Sequence, residues 1–179
     1  MNCGGGANLL HLQHSGGGDA VAVIEVPSRT KVKYEYDFEH GVLRLSRVCA
    51  TSFVSPANYG FVPRTWCEDS SPLDILVLCR EPLMPCTVVD VRILGVLEVT
   101  AQGRADPKLL SAAERDPVFT ELKELNQVPE HLLREIAHFF AHYRELEGRK
   151  IEVGRWKPRS AALDVLKRAR ERYAERFYP

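Results

Sequence analysis

The sequence predicts an α+β fold, and three observations carry that reading. Short apolar or alternating runs fill roughly the first two thirds of the chain, turn-forming Gly, Pro and Ser separate them, and helical periodicity sets in only beyond Asp116. The 179 residues, 45% hydrophobic and 27% charged, match one globular domain. A chain of this size buries roughly 70% of the surface its unfolded form exposes, so its core needs neither disulfides nor a structural metal.

The first eighteen residues, MNCGGGANLLHLQHSGGG, have no basic start and no continuous apolar core. They match neither a secretory signal nor a membrane span and read as a flexible glycine-rich lead-in to a single domain over 19–179. VAVIEV, from Val21 to Val26, is apolar except for Glu25 and stops at Pro27, which predicts a buried strand with one carboxylate set into it. In TKVKYEYDF the residues Val32, Tyr34, Tyr36 and Phe38 alternate with Lys31, Lys33, Glu35 and Asp37. Glu39-His40-Gly41 turns this strand into VLRLSRV, where Leu43, Leu45 and Arg47 share a face, so residues 30–48 are expected to form a β-hairpin.

A loop from Ser55 to Ser71 leads to LDILVLC, then to the apolar stretch TVVDVRILGVLEVT, Thr87 to Thr100, in which Gly95 marks a bulge or bend. Close-spaced short strands point to a barrel or sandwich. From Pro129 to Glu147 the apolar positions Leu132, Leu133, Ile136, Ala137, Phe140 and Tyr143 recur at three and four before Gly148 closes an amphipathic helix. A second helix follows Ser160 as N-cap, with Ala162, Leu166, Ala169 and Tyr173 on one face. There is no internal repeat.

Composition excludes some functions. With 24 basic and 24 acidic side chains the chain lacks the basic excess of a general nucleic-acid binder, and no basic stripe is interleaved with stacking aromatics. The five cysteines (Cys3, Cys49, Cys67, Cys79, Cys86) are scattered without a C-x-x-C pair and read as reduced, cytosolic thiols. His138 and His142, with Glu135 before them, have a metal-like spacing. HFFAH nevertheless lacks the glutamate a zinc protease needs, so it reads as one face of an ordinary helix.

Asp69, Asp74 and Asp106 sit in turns or at a loop–strand junction, where acids are usually solvated turn formers, although their oxygens suit Mg²⁺. Lys33 and Lys108 would by default be surface charges, Arg47 a hairpin-rim residue, and Arg144 one member of a helical pair with Glu147.

The ordered set VIEVP, KYEYD, SPANYGFVP, SPLDILVL, RADPK and HFFAHYRELE resembles the soluble family I inorganic pyrophosphatases, from about Val21 to the C-terminus. The resemblance implies a small OB-like Greek-key β-barrel flanked by C-terminal helices. It also implies Mg²⁺-dependent hydrolysis of pyrophosphate to two phosphates, with Mn²⁺ as the alternative metal, and a cytoplasmic homo-oligomer, commonly a hexamer. By resemblance Lys33, Arg47, Lys108, Tyr143 and Arg144 hold phosphate oxygens, Glu35 matches a further acidic cavity position, and Tyr59 lines the metal-proximal wall. Glu25, Asp69, Asp74 and Asp106 are the metal-side carboxylates. Such chemistry needs cations around a polyanion and a water made nucleophilic at neutral pH.

Three positions depart from the family pattern. In D-x-D-P-x-D the middle acid, which takes a proton from the attacking water, is here Ser71, and a serine hydroxyl cannot act as that base at neutral pH. Ala101 stands where the family usually has an aspartate, and Arg144 where many members have lysine. By the same resemblance Tyr59, Arg47 and Ser71 occupy the catalytic positions. The expectation is a slowed pyrophosphatase, the alternative a non-catalytic relative that binds phosphate-rich ligands or a partner protein.

Overall fold

The computed structural model describes residues 8–14 and 16–178. Among these residues nine strands carry the fold: β1 (Ala20–Val26), β2 (Val32–Asp37), β3 (Val42–Val48), β4 (Asn58–Val62), β5 (Leu73–Leu78), β6 (Val88–Ala101), β7 (Arg104–Ala105), β8 (Lys108–Ala113) and β9 (Ile151–Pro158). Two helices join them, α1 (Glu130–His142) and α2 (Arg159–Phe177). β1 pairs with both β4 and β6, β4 with β5, β5 in parallel with β8, and β8 with β6. The ring therefore closes on itself as the OB-like barrel expected above. β6 can serve two sides because its register shifts between Ile93 and Gly95, the bend that glycine marked; its far half pairs with β9.

β1, β4 and β8 are buried along their whole lengths, and β5 at every position but Asp74. The cause is cover on both faces. Along β5 the alternating side chains divide: Ile75 and Val77 join Ala162, Leu166 and Ala169 of α2, while Leu76 and Leu78 join Ile136 and Phe140 of α1. The apolar face predicted for α2 is the buried one, Ala162, Leu166, Ala169 and Tyr173.

β2 and β3 form the expected hairpin as a separate two-stranded sheet. Its turn is held by the Asp37 carboxylate, which accepts from the Glu39 and His40 amides at 3.0 Å each, and by Gly41 in a left-handed conformation at φ 68°. A register shift between Lys33 and Tyr34 sets Arg47 opposite Lys33 but Leu45 opposite Tyr34, so Arg47 does not share a face with Leu43 and Leu45 as expected; Leu45 is 62% exposed.

Several boundaries differ from the sequence reading. α1 ends at His142 rather than Glu147; Tyr143 caps it, and a 3₁₀ turn, Glu145–Glu147, leads to Gly148 at φ 68°. α2 begins at Arg159 after Pro158, so Ser160 lies inside the first turn and is not the cap. β9 was not anticipated: IEVGRWKP alternates weakly and none of its residues is fully buried. Of the lead-in expected over 1–18, residues 1–7 and Ser15 lie outside the described residues; Leu9 and Leu10 are buried in a 3₁₀ turn. Cys49, Cys67 and Cys79 are free thiols as expected, but Cys86 is disulfide-bonded, which corrects the reading of all five as reduced.

Candidate active site

A cavity of about 390 Å³ opens between the β2–β3 hairpin, the open ends of β4, β5 and β8, and the segment after α1. Its wall gathers the residues that the family resemblance singled out: Glu25, Lys33, Glu35, Arg47, Tyr59, Asp69, Ser71, Asp74, Ala101, Asp106, Lys108, Tyr143 and Arg144. Sequence reasoning missed Arg149 and Lys150, which add two cations to the rim. A charged pair after a glycine turn looks like any solvated loop, and only the path of the chain from α1 into β9 turns it inward.

Strand alternation sets the floor. Asp74 precedes Leu76 and Leu78 on the same face of β5, and Lys108 precedes Leu110 and Ala112 on β8, so both protrude where the α1-side core ends. The parallel pairing of Ile75 with Leu109 brings those two ends side by side. The Lys108 ammonium, nearly fully buried, is ion-paired to both Asp74 and Asp106. Burial disfavours its charge, but the two carboxylates hold its pKa above the ordinary lysine range. Burial likewise works to raise Asp74, yet Lys108 and Lys33 outweigh it and keep that carboxyl below its ordinary value. Asp106 differs: burial, with Asp74 and Asp69 adding repulsion, raises it to about 6 despite Lys108.

Tyr59 lies at the centre. Its hydroxyl is hydrogen-bonded to Asp74, and burial plus the Asp74 and Asp106 charges drive its pKa well above the usual phenol value, so it remains a neutral donor. Lys33 and Lys108 lie 5.9 and 6.0 Å from its ring centroid. Tyr59 reaches this place because Gly60 beside it lets β4 approach β1: a β-carbon at 60 would stand 1.8 Å from the Val23 carbonyl oxygen.

Glu25, the acid set into β1, accepts from the Tyr36 amide at 2.7 Å and is otherwise walled in; burial pushes its carboxyl up to about 8. On the hairpin Lys33 pairs with Glu35 at 2.8 Å. Although burial works against its charge, Lys33 holds Glu35 below the ordinary range. Opposite Lys33 in the ladder, Arg47 donates to the Tyr143 hydroxyl at 3.4 Å and lies 5.7 Å from that ring. Arg144 is held by Glu147 at 2.8 Å, as its helical spacing foretold, though beyond the end of the helix.

Asp69 and Ser71 sit in a tight loop. The Ser71 hydroxyl donates to both Asp69 oxygens at 2.8 Å and its amide to Asp69 at 3.1 Å, with Ser70 between them at φ 65°. α2 fastens this loop from outside. The Trp66 amide donates to the Ala169 carbonyl at 2.8 Å, Arg172 pairs with Glu68 at 2.6 Å, and the Arg176 guanidinium lies 4.7 Å from the Trp66 ring.

Whether a cation suits this wall can be judged from its donors. Glu25, Asp69, Asp74 and Asp106 offer only hard carboxylate oxygens, the ligand type of Mg²⁺. Asp106 is raised to about 6 chiefly by burial, and the Asp74 and Asp69 charges add repulsion that a cation would relieve. The residues fit a hard cation. Among the described residues no three acidic, His or Cys side chains form a ready cluster for one, since Lys108 stands between Asp74 and Asp106. The His138 and His142 rings lie 4.4 Å apart on α1, tilted by 47°, and neither lines the cavity.

Fold and cavity define a small β-barrel protein with a polar chamber suited to a compact polyanion. The inorganic pyrophosphatase family model matches residues 22–174. The chain is 39% identical over 154 residues to the inorganic pyrophosphatase of Geobacillus stearothermophilus, covering 86% of this chain and 93% of that one. With the enzyme of Methanosarcina acetivorans it shares 42% over 154 residues, covering 86% and 92%. The crystal structure of the inorganic pyrophosphatase from Thermus thermophilus superposes with a TM-score of 0.88 at 37% identity, covering 93% of this chain and 99% of that one. The chain belongs to the inorganic pyrophosphatase family, a family of metal-dependent enzymes, and hydrolyses pyrophosphate to phosphate.

Proposed function

We propose that this chain hydrolyses pyrophosphate with Mg²⁺, at a rate lowered by the loss of carboxylates at Ser71 and Ala101. The observation that carries the reading is the Asp74–Lys108–Asp106 cluster facing Arg47, Tyr143 and Lys33 across one cavity. Lys33, Arg47, Lys108, Arg144 and the Tyr143 hydroxyl donate to oxygens of the substrate and fix its two phosphoryl groups, with Glu35 keeping Lys33 extended into the cavity. Arg47 stabilises charge that builds up in the transition state, and the neutral Tyr59 hydroxyl orients Asp74. Glu25, Asp69, Asp74 and Asp106 would hold the cation, which supplies Lewis acidity and a more acidic water when bound. Ser71 does not accept a proton; its hydroxyl donates to Asp69 and keeps that carboxylate aimed. Deprotonation of the attacking water is thus left without a dedicated protein base, a deficit of about 10²–10⁴-fold.

We further place the chain in the cytoplasm and as a homo-oligomer, a hexamer, both by family likeness. Nucleic acid and membrane are not among its partners in this reading; among the described residues no helix is long and apolar enough to cross a bilayer. The deciding experiment is phosphate release from pyrophosphate over a series of Mg²⁺ and Mn²⁺ concentrations, with Asp74→Ala as the contamination control. Metal-dependent release that vanishes in the variant supports the reading. Calorimetric binding of pyrophosphate with no release above the variant would replace it by a binding-only relative.

A further inference from the structure

A second cavity, of about 330 Å³, shares no lining residue with the first. It lies where the segment around His14, the end of β4 and the last turns of α2 meet. We propose that this cavity binds the dianionic phosphate group of a small phosphate compound, held between Arg64 and Arg170.

Both arginines line the cavity, and none of the described residues around it is acidic. Among the described residues neither guanidinium is ion-paired. Arg170 reaches only the Asp19 backbone carbonyl, at 3.3 Å. The Asp19 carboxylate is already engaged by Arg159 at 2.8 and 2.9 Å and by the Ile93 amide at 2.9 Å. Burial accordingly lowers the pKa of Arg170, with Asp19 only partly opposing it. The Arg64 guanidinium lies 5.8 Å from the Tyr173 ring and 5.5 Å from the Tyr178 ring, which locate its plane without using its N–H donors. Its backbone is left-handed at φ 55°, a conformation an arginine holds at a cost, and its amide is tied to the Leu10 carbonyl at 2.8 Å.

Two like charges over the apolar walls of Val21 and Val62 repel unless an anion joins them. A phosphate dianion matches both in charge and offers oxygens for the guanidinium fork. The bound group would bridge the start of the segment that leads to Asp69 and the helix that fastens it.

The test is calorimetric titration, in chelator, of inorganic phosphate and separately of a nucleoside 5′-monophosphate. The proteins are the wild type, a Lys33→Gln/Arg47→Gln variant with the first cavity weakened, and that variant with Arg64→Gln and Arg170→Gln added. The cradle variant is expected to keep one anion site, and the fourfold variant to bind about tenfold or more weaker. Binding of both anions to the cradle variant means free phosphate suffices; binding of the monophosphate alone means an organic ester is the ligand. Either result supports the site. No anion binding to the cradle variant, or equal binding by the fourfold variant, overturns it. If the glutamine changes unfold the protein, Arg64→Lys with Arg170→Lys keeps the charges, loses the fork geometry, and must still weaken binding.

Discussion

Replacing Ser71 by aspartate tests the reading of the loop most directly. The Ser71 hydroxyl lies 2.8 Å from both Asp69 oxygens, so an aspartate at 71 sets a second carboxylate against the first. Two unit charges about 4 Å apart at an effective dielectric near 20 interact by about 4 kcal/mol, roughly three pKa units. Without divalent cation one of the two carboxyls must therefore take up a proton or strain the loop. With a cation present the repulsion is offset, and the carboxylate at 71 stays ionised and able to accept a proton from water. Three outcomes are expected of Ser71→Asp, best read in combination with Ala101→Asp. Its melting temperature in chelator falls below wild type, Mg²⁺ raises it more than in wild type, and kcat climbs by about 10²–10⁴-fold with far less change in KM. The assays are thermal melts with and without Mg²⁺ and steady-state phosphate release. Unchanged turnover in the double variant would show that position 71 does not have the role assigned here, and identical melts in chelator would sink the electrostatic argument.

Asp74→Ala leaves the buried Lys108 with Asp106 alone, and should abolish metal-dependent phosphate release while costing about 1–3 kcal/mol of stability; wild-type kinetics would reduce Asp74 to a loop-end residue. Glu25, with its carboxyl raised from 4.5 to about 8, folds more favourably in the protonated form. Its contribution is complete below the ordinary glutamate range and drains away as pH climbs through about 8, by up to about 5 kcal/mol. Denaturant melts in chelator between pH 5 and 9 should show that loss in wild type and not in Glu25→Gln, whose amide oxygen can still accept from the Tyr36 amide; parallel curves would contradict the burial argument. Gly60→Ala puts a β-carbon 1.8 Å from the Val23 carbonyl oxygen, so β1 and β4 must part. A loss of about 3 kcal/mol or more is expected in chemical denaturation, and a change under 1 kcal/mol would mean the barrel yields there at little cost.

What the sequence made legible follows from period and punctuation. The hairpin, the Gly95 bend and the buried face of α2 each rest on a local pattern that the tertiary structure keeps. β9 stayed hidden because it lies along the far half of β6 with its side chains half covered, so the alternation never became clean. The end of α1 was misplaced because Tyr143 and Arg144 continue a helical spacing in sequence, while the chain leaves the helix to turn both toward the cavity. Among the cavity residues, the motifs around Asp69, Asp74 and Asp106 gave away the wall, and alternation put Lys33 and Glu35 together. No spacing reveals that Lys108 is buried between Asp74 and Asp106. That depends on the parallel register of β5 and β8, a pairing between segments more than thirty residues apart.

The fastening of the Asp69 loop by α2 gives the molecule two separate clocks on heating. The barrel is a closed ring whose strands are covered on both faces, whereas α2 is packed by one apolar stripe and carries its charged side to solvent. Surface helices of this kind come loose in partial openings well below the global transition. Once α2 lifts, Trp66, Glu68 and the acids beyond them lose their anchors while the ring still stands. Catalysis should therefore fade at a lower temperature than the β-sheet signal, and cooling after a brief excursion should restore it at the speed of helix docking rather than of refolding.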